Sequence, residues 1–93
     1  MELNIVAESR DYALIALAGR LDLTGVNEID NEFLTATKGN RCAIVDLSKV
    51  DFVTSLGIGL LFGCAQSLRN RGSKLVVLNP QPVVEKTLKA AHM

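Results

Sequence analysis

The chain has little that would support binding through aromatic rings or through net charge. It contains no Trp, one Tyr and three Phe among 93 residues, so few rings are present to stack on nucleotides, bases or sugars. Its ten basic and ten acidic side chains cancel, and no net charge draws it to nucleic acid or an anionic membrane. We therefore expect neither nucleic acid nor membrane as a partner.

Cysteine and histidine are also scarce, which argues against most metal and redox sites. Cys42 and Cys64 lie far apart in apolar stretches, where a thiol behaves as a small hydrophobic group, so we expect both to be buried and reduced. His92 is the only imidazole and precedes the last residue. Because no acid, base and nucleophile converge in the pattern, we expect no enzyme activity and no cofactor.

Long apolar runs are missing as well. No segment approaches the length of a membrane span, and the start Met-Glu-Leu-Asn lacks the basic residues of a secretory signal. The sequence therefore predicts a cytoplasmic protein. A hydrophobic fraction of 48% over 93 residues suits one domain, 1–93, whose core needs no disulfide or metal.

The hydrophobic pattern predicts four strands. Residues 2–8 alternate apolar and polar side chains, which is typical of a half-buried strand, and the apolar segment 12–18 would pair with it as a hairpin. Gly19 would end or bulge that second strand. The runs 42–47 and 74–78 are apolar apart from Asp46 and Lys74, and such runs are typical of buried parallel strands.

Three amphipathic helices complete the predicted order ββαβαβα. The first runs from Thr24, its expected cap, to Gly39-Asn40; the second runs from Ser55 to about Arg71 and is closed by Gly72; the third begins at Pro82. Strand–helix–strand crossovers are right-handed in nearly all cases. The sequence therefore predicts an α/β fold with a mixed four-stranded sheet and one sheet face less completely covered.

The segment 46–59 carries the candidate site. It is predicted to leave a buried strand, pass through a loop at 48–54 and enter a helix. Gly57, Gly59 and Gly63 each cost roughly 1 kcal/mol relative to Ala inside a helix, which predicts either a close backbone approach or a constrained loop-to-helix turn here. Ser55 is the expected N-cap, where a phosphate would lie in the positive field of the helix terminus.

Spacing alone leaves other interpretations of these residues open. Ser55 would serve equally well as a capping residue and nothing more. The glycines 57–63 would suit a nucleotide loop, although the third glycine comes one residue late and Asn79 stands where an acid is expected. Asp22, Asp46 and Asp51 would form a metal cluster only if the fold brought Asp22 to the others; otherwise Asp46 binds loop amides and Asp22 precedes or caps a helix.

Three segments carry a family likeness: AGRLD at 18–22, IVDLS at 44–48 and VDFVTSLGIG at 50–59. Together they resemble the STAS domain, the fold of bacterial anti-sigma factor antagonists. The likeness covers essentially the whole chain, and Gly72 and the strand at 75–79 give weaker support.

The resemblance implies a non-enzymatic switch in transcription regulation by partner switching. Antagonists of this family bind an anti-sigma factor that is also a serine kinase of the GHKL type, which releases the sigma factor. The kinase then phosphorylates the antagonist, and a PP2C-type phosphatase restores the hydroxyl. Ser55 falls on the phosphorylated position, Thr54 is a minor candidate, and Asp22 corresponds to an acidic residue that contacts the kinase or orients the loop.

The same resemblance implies a partner-binding set, which consists of Leu21, Asp22, Thr54, Ser55, Leu56, Gly57 and Ile58. Phosphorylation adds about 1.5 to 2 negative charges to such a surface. Two departures from the family stand out: many antagonists have Asp where this chain has Thr54, and members often continue past the last helix. We expect a monomer or weak dimer. The alternatives are a constitutive STAS scaffold, stressosome-like or transporter-associated, and more remotely a small nucleotide-binding protein.

Overall fold

The computed structural model describes residues 1–39 and 41–91. Seven elements follow one another in the predicted order. They are β1 (Glu2–Glu8), β2 (Tyr12–Leu21), α1 (Leu23–Ala36), β3 (Cys42–Val53), α2 (Ser55–Asn70), β4 (Leu75–Leu78) and α3 (Pro82–Ala90). The predicted fold class is confirmed.

The sheet is mixed and has the strand order β1-β2-β3-β4. β1 and β2 form the predicted antiparallel hairpin. β2, β3 and β4 are parallel neighbours. Because β2 and β3 run in the same direction, their carboxyl ends meet at one end of the sheet, where Leu21 pairs with Val53.

The core lies on one face of the sheet. Burial alternates along β2 and along β3, so that Ile15 and Val45, which are paired across the ladder, are both fully buried. All three helices add buried residues to this same cluster, and the largest of these are Phe33, Ile29, Leu61, Leu68 and Val84. The opposite sheet face is only partly buried, as the sequence predicts.

Three strands differ from the prediction. β2 continues past residue 18 to Leu21, with a register shift against β3 at Gly19, so Gly19 bulges the strand rather than ending it. The predicted loop at 48–54 is wrong, because β3 continues to Val53. Its pairing with β2 shifts register twice, and Val50 and Val53, three residues apart, are both buried. β4 is half-buried rather than buried, because it is the outer strand of the sheet.

The helix ends also differ in part. Asp22, not Thr24, is the N-cap of α1, and the Gly25 N–H donates to its Oδ1 at 2.9 Å. α1 ends at Ala36, before Gly39, and Asn40 lies outside the described residues. α2 closes at Gly72 as predicted, with φ of 78°.

Both cysteines are free thiols. Cys64 is buried, as expected, whereas Cys42 is only half-buried, so the prediction for Cys42 is wrong. Within residues 1–39 and 41–91, no helix is both long enough and apolar enough to cross a bilayer.

Candidate functional site

The candidate site lies where β2 and β3 pass into α1 and α2. The Thr54 N–H donates to the Leu21 carbonyl oxygen at 3.1 Å. The Thr54 hydroxyl also donates to that oxygen, at 3.3 Å. Because Asp22 and Thr54 are the N-caps of α1 and α2, these bonds hold the starts of the two helices side by side.

Two glycines permit this close approach. A Cβ on Gly57 would lie 2.5 Å from the Leu21 carbonyl oxygen and 2.7 Å from its Cγ. A Cβ on Gly25 would overlap the Arg20 carbonyl oxygen. The predicted close approach is therefore confirmed at Gly57, but it is wrong for Gly59 and Gly63, which face open space.

Ser55 is exposed and is the first residue of α2. The prediction that it is the N-cap is wrong, since Thr54 occupies that position. No hydrogen bond of the Ser55 hydroxyl forms within the described part of the chain. The first turn of α2 contains no acidic side chain, so nothing within that turn offsets the positive end of the helix dipole.

Large apolar side chains are exposed at the same end of the sheet. Leu23 at the start of α1 is 59% exposed, Leu56 in the first turn of α2 is 51% exposed, and Phe52 near the end of β3 is 39% exposed. We call Asp22, Leu23, Phe52, Ser55 and Leu56 the acceptor surface. Apolar side chains that are exposed together in one patch, rather than singly, mark surfaces that bind other proteins.

The implied partner-binding residues differ in accessibility. Leu21 and Gly57 are buried, so they support the surface from beneath. Thr54 and Ile58 are half-buried at its base. Leu23 and Phe52 are not among the predicted partner-binding residues. The signal that could have identified them is a large apolar side chain close in sequence to a candidate site residue.

Asp22 is fixed in a small polar network. Its Oδ2 accepts a hydrogen bond from Arg20 Nε at 3.4 Å, and the Arg20 guanidinium lies 4.4 Å from the centre of the Phe52 ring. The Gly25 N–H lowers the pKa of Asp22, burial opposes this effect, and Arg20 adds to the lowering. Asp22 is therefore ionised at neutral pH and contributes negative charge to the acceptor surface.

The remaining candidate residues do not form a second site. Asp46 Oδ1 accepts from the Ser48 N–H at 2.9 Å, as the simpler interpretation predicts. No group of acidic, Cys and His residues within 1–39 and 41–91 is arranged to hold a metal ion, and His92 lies outside those ranges. Gly57, Gly59 and Gly63 all lie inside α2, which leaves no phosphate-binding loop at these glycines.

Comparison with known proteins identifies relatives. The family model of the STAS domain matches residues 4–93. An anti-sigma-B factor antagonist of Staphylococcus aureus is 32% identical over 81 residues, which cover 84% of this chain and 74% of that protein.

Two solved structures of SpoIIAA share the fold. The anti-sigma factor antagonist SpoIIAA in its unphosphorylated form has a TM-score of 0.82 and 27% identity, over 98% of this chain and 81% of that one. The Bacillus cell fate determinant SpoIIAA in its phosphorylated form has a TM-score of 0.76 and 26% identity, over 97% of this chain and 83% of that one. The resemblance found in the sequence is confirmed.

Proposed function

This chain belongs to the STAS domain family, and we propose that it is an anti-sigma factor antagonist whose binding is controlled by phosphorylation of Ser55. The unphosphorylated form binds an anti-sigma factor that is also a serine kinase. Phosphorylation then releases that partner. The observation that carries the proposal is the exposed Ser55 hydroxyl, which makes no hydrogen bond within the described residues and begins α2 in the acceptor surface.

The start of α2 can accommodate a phosphate with little rearrangement. The first N–H groups of a helix lack partners within the helix, and together with the helix dipole they favour an anion. The first turn of α2 has no carboxylate to compete for them. The relative SpoIIAA has been solved in both phosphorylation states, which supports a switch that does not require refolding.

The same phosphate would disrupt binding of a partner. A partner that covers Leu23 and Leu56 must exclude water from the surface around Ser55. Phosphorylation adds about 1.5 to 2 negative charges there, beside the ionised Asp22. Removing water from that charge is costly unless the partner supplies a basic group, so a modest interface dissociates.

The proposal also covers the domain, its location and the enzymes that act on it. Residues 1–93 form a single STAS domain that acts in the cytoplasm as a binding protein rather than an enzyme. A GHKL-type kinase adds the phosphate, and a PP2C-type phosphatase removes it. Thr54 is a minor acceptor, since it is half-buried and its hydroxyl already donates to Leu21.

A pull-down with matched baits tests the proposal. The baits are the wild type, Ser55→Ala, Ser55→Asp and Ser67→Asp, and retained proteins are identified by mass spectrometry. Ser67 is also exposed and lies toward the other end of α2, so Ser67→Asp adds the same charge to the same helix away from the acceptor surface. We expect a GHKL-type kinase on every bait except Ser55→Asp.

A second step tests the chemistry. The captured kinase is incubated with ATP and each bait, and the phosphorylated residue is located by peptide mass spectrometry. We expect phosphate on Ser55 in the wild type and little on Ser55→Ala. If all four baits retain the same proteins, Ser55 does not control binding and a constitutive STAS scaffold explains the chain better.

A further inference from the structure

The two outer edges of the sheet carry opposite charge. β1 and β4 are the outer strands, and the described part of the chain adds no further strand to either. The acidic edge consists of Glu2, Glu8, Glu28 and Glu32, on β1 and on the neighbouring α1. The basic edge consists of Arg69, Lys74 and Lys89, on or beside α2, β4 and α3.

The acidic edge keeps negative charge after its own ion pairs are counted. Arg41 pairs with Glu8 at 3.0 Å, and the amino group of Met1 pairs with Glu28 at 3.1 Å. Glu2 and Glu32 form no ion pair among the described residues. Glu32 borders a groove of about 530 Å³ between β1 and α1.

That groove has an apolar floor. Leu3 and Ile5 of β1 line it, and Ile5 is 47% exposed. The groove is also lined by the Glu8–Arg41 ion pair. The acidic edge therefore offers apolar surface beside the unpaired carboxylate of Glu32.

The basic edge has the complementary character. A groove of about 350 Å³ lies among α2, β4 and α3 and is lined by Phe62, Val77 and Arg69. Lys89 pairs with Glu85 at 3.0 Å, whereas Arg69 and Lys74 form no ion pair within 1–39 and 41–91. Phe62 is 49% exposed, so this edge also combines apolar surface with unpaired charge.

We propose that the acidic edge of one copy of this chain docks against the basic edge of the next copy. The net charge of zero removes long-range repulsion between copies. β1 runs antiparallel to β2, and β4 runs parallel to β2 through β3, so two copies in the same orientation bring β4 beside β1 as antiparallel neighbours. The contact joins two different surfaces, and copies would therefore add side by side.

This association goes beyond the proposed switch and leaves the acceptor surface accessible. Ser55 lies at the carboxyl end of β3, between the two edges rather than on either of them. In a row of copies with the same orientation, every Ser55 lies along one rim. Kinase binding and self-association therefore use separate surfaces and can be tested separately.

The association is weak and sensitive to salt. β1 has an irregular register between Ile5 and Ala7, and β4 has only four residues; bulges and short strands both limit pairing at sheet edges. Electrostatic attraction between exposed groups carries much of the contact, and dissolved salt screens it over about 10 Å at 0.1 M ionic strength.

Sedimentation equilibrium of the full chain tests the proposal. We expect concentration-dependent association of the wild type at low salt, up to protein concentrations of about 1 mM, which declines as salt is raised. Glu32→Lys reverses one charge on the acidic edge, and Arg69→Glu reverses one on the basic edge. Each should weaken association about three- to ten-fold, since single exposed charge pairs contribute modestly.

Combining the variants distinguishes this contact from other modes of association. An equimolar mixture of Glu32→Lys and Arg69→Glu should associate more strongly than either variant alone, because an intact acidic edge again meets an intact basic edge. The double variant, in which charge is swapped and net charge is zero, should also recover association. Recovery additionally shows that the single losses are not due to misfolding, which circular dichroism checks directly.

Lys49→Glu is the matched control, because Lys49 is an exposed residue of the inner strand β3. It should associate more strongly than Arg69→Glu despite the same change in net charge. The proposal is overturned if the wild type stays monomeric at low salt, if salt strengthens association, or if neither the mixture nor the double variant recovers it.

Discussion

Asp22 joins the end of β2 to the start of α1 through its side chain. The Gly25 N–H and Arg20 stabilise its ionised form, so its pKa is lower in the folded chain than in the unfolded one. The stabilisation is therefore fully present above the unfolded-state pKa and is lost as pH falls through the folded-state pKa.

Substitution of Asp22 tests this linkage. Asp22→Asn keeps an oxygen that can accept from Gly25 but cannot titrate. We expect the free energy of unfolding of the wild type to fall more steeply with acidification than that of Asp22→Asn. Urea denaturation across the acidic range measures both slopes, and parallel slopes would contradict the assignment.

Replacement by Ala should have opposite effects on the stability of the fold at Gly57 and at Gly59. Gly57→Ala should destabilise the fold by about 1 to 3 kcal/mol, because its methyl group would overlap Leu21. Gly59→Ala, two residues on in the same helix, should stabilise by about 0.5 to 1 kcal/mol, since it faces open space. Urea unfolding of the two variants compares them directly, and equal effects would be inconsistent with the packing of α2 on Leu21.

Single residues show where prediction from sequence reaches its limit. Ser, Thr and Asp all make good N-caps, so the sequence cannot choose Thr54 over Ser55 or Asp22 over Thr24 without the backbone. The family resemblance, rather than the spacing, singles out Ser55 as the candidate acceptor, because the spacing suits a capping residue equally well. The contact of Arg20 with Phe52 cannot be predicted from the sequence, because it depends on the register of two strands.

At the scale of elements, the end of α2 is well predicted from the sequence, because Gly72 marks it. Gly72 has φ of 78°, and the Ser73 N–H donates to the Leu68 carbonyl at 2.8 Å, which are features of a Schellman motif. Gly72→Ala should destabilise by about 1 to 2 kcal/mol, because a side chain disfavours this conformation.

Gly63→Ala provides the control for Gly72→Ala. Gly63 lies inside the same helix and faces open space, so this substitution should be neutral or stabilising. Thermal unfolding followed by circular dichroism measures both. Equal melting temperatures for the two variants would mean that the left-handed conformation carries no cost.

Only the first half of β3 can be predicted from the sequence. Its first half, through Leu47, is apolar apart from Asp46 and is correctly predicted as a strand. Its second half contains Ser48, Lys49 and Asp51, which resemble a loop, and the register shifts against β2 remove the two-residue period. Pairing with β2 therefore maintains a strand that the local hydrophobic pattern does not predict.

At the scale of the whole molecule, the fold is predictable because the buried hydrophobic side chains form one core cluster. Each helix and each of the two inner strands contributes buried side chains to that cluster, so apolar periodicity along the chain reports directly on the core. The acceptor surface and the charged edges are less predictable, since they join residues that are distant in sequence and adjacent only after folding.

Cys64 offers a probe of this single core. It is 5% exposed, and burial raises the pKa of its thiol, so both access and thiolate formation are suppressed in the folded state. In Cys42→Ala, which removes the half-buried thiol, we expect labelling by a thiol reagent to be at least about a thousand-fold slower than in denaturant, given ordinary domain stability.

The dependence of this labelling on urea distinguishes global from local opening. If Cys64 reacts only after the core unfolds, the rate rises with urea with the same slope as the equilibrium unfolding of the chain. A shallower slope would mean that α1 and α2 separate while the sheet stays folded. Because the packed core includes all three helices, we expect the full slope, and rapid labelling independent of urea would contradict a single cooperative core.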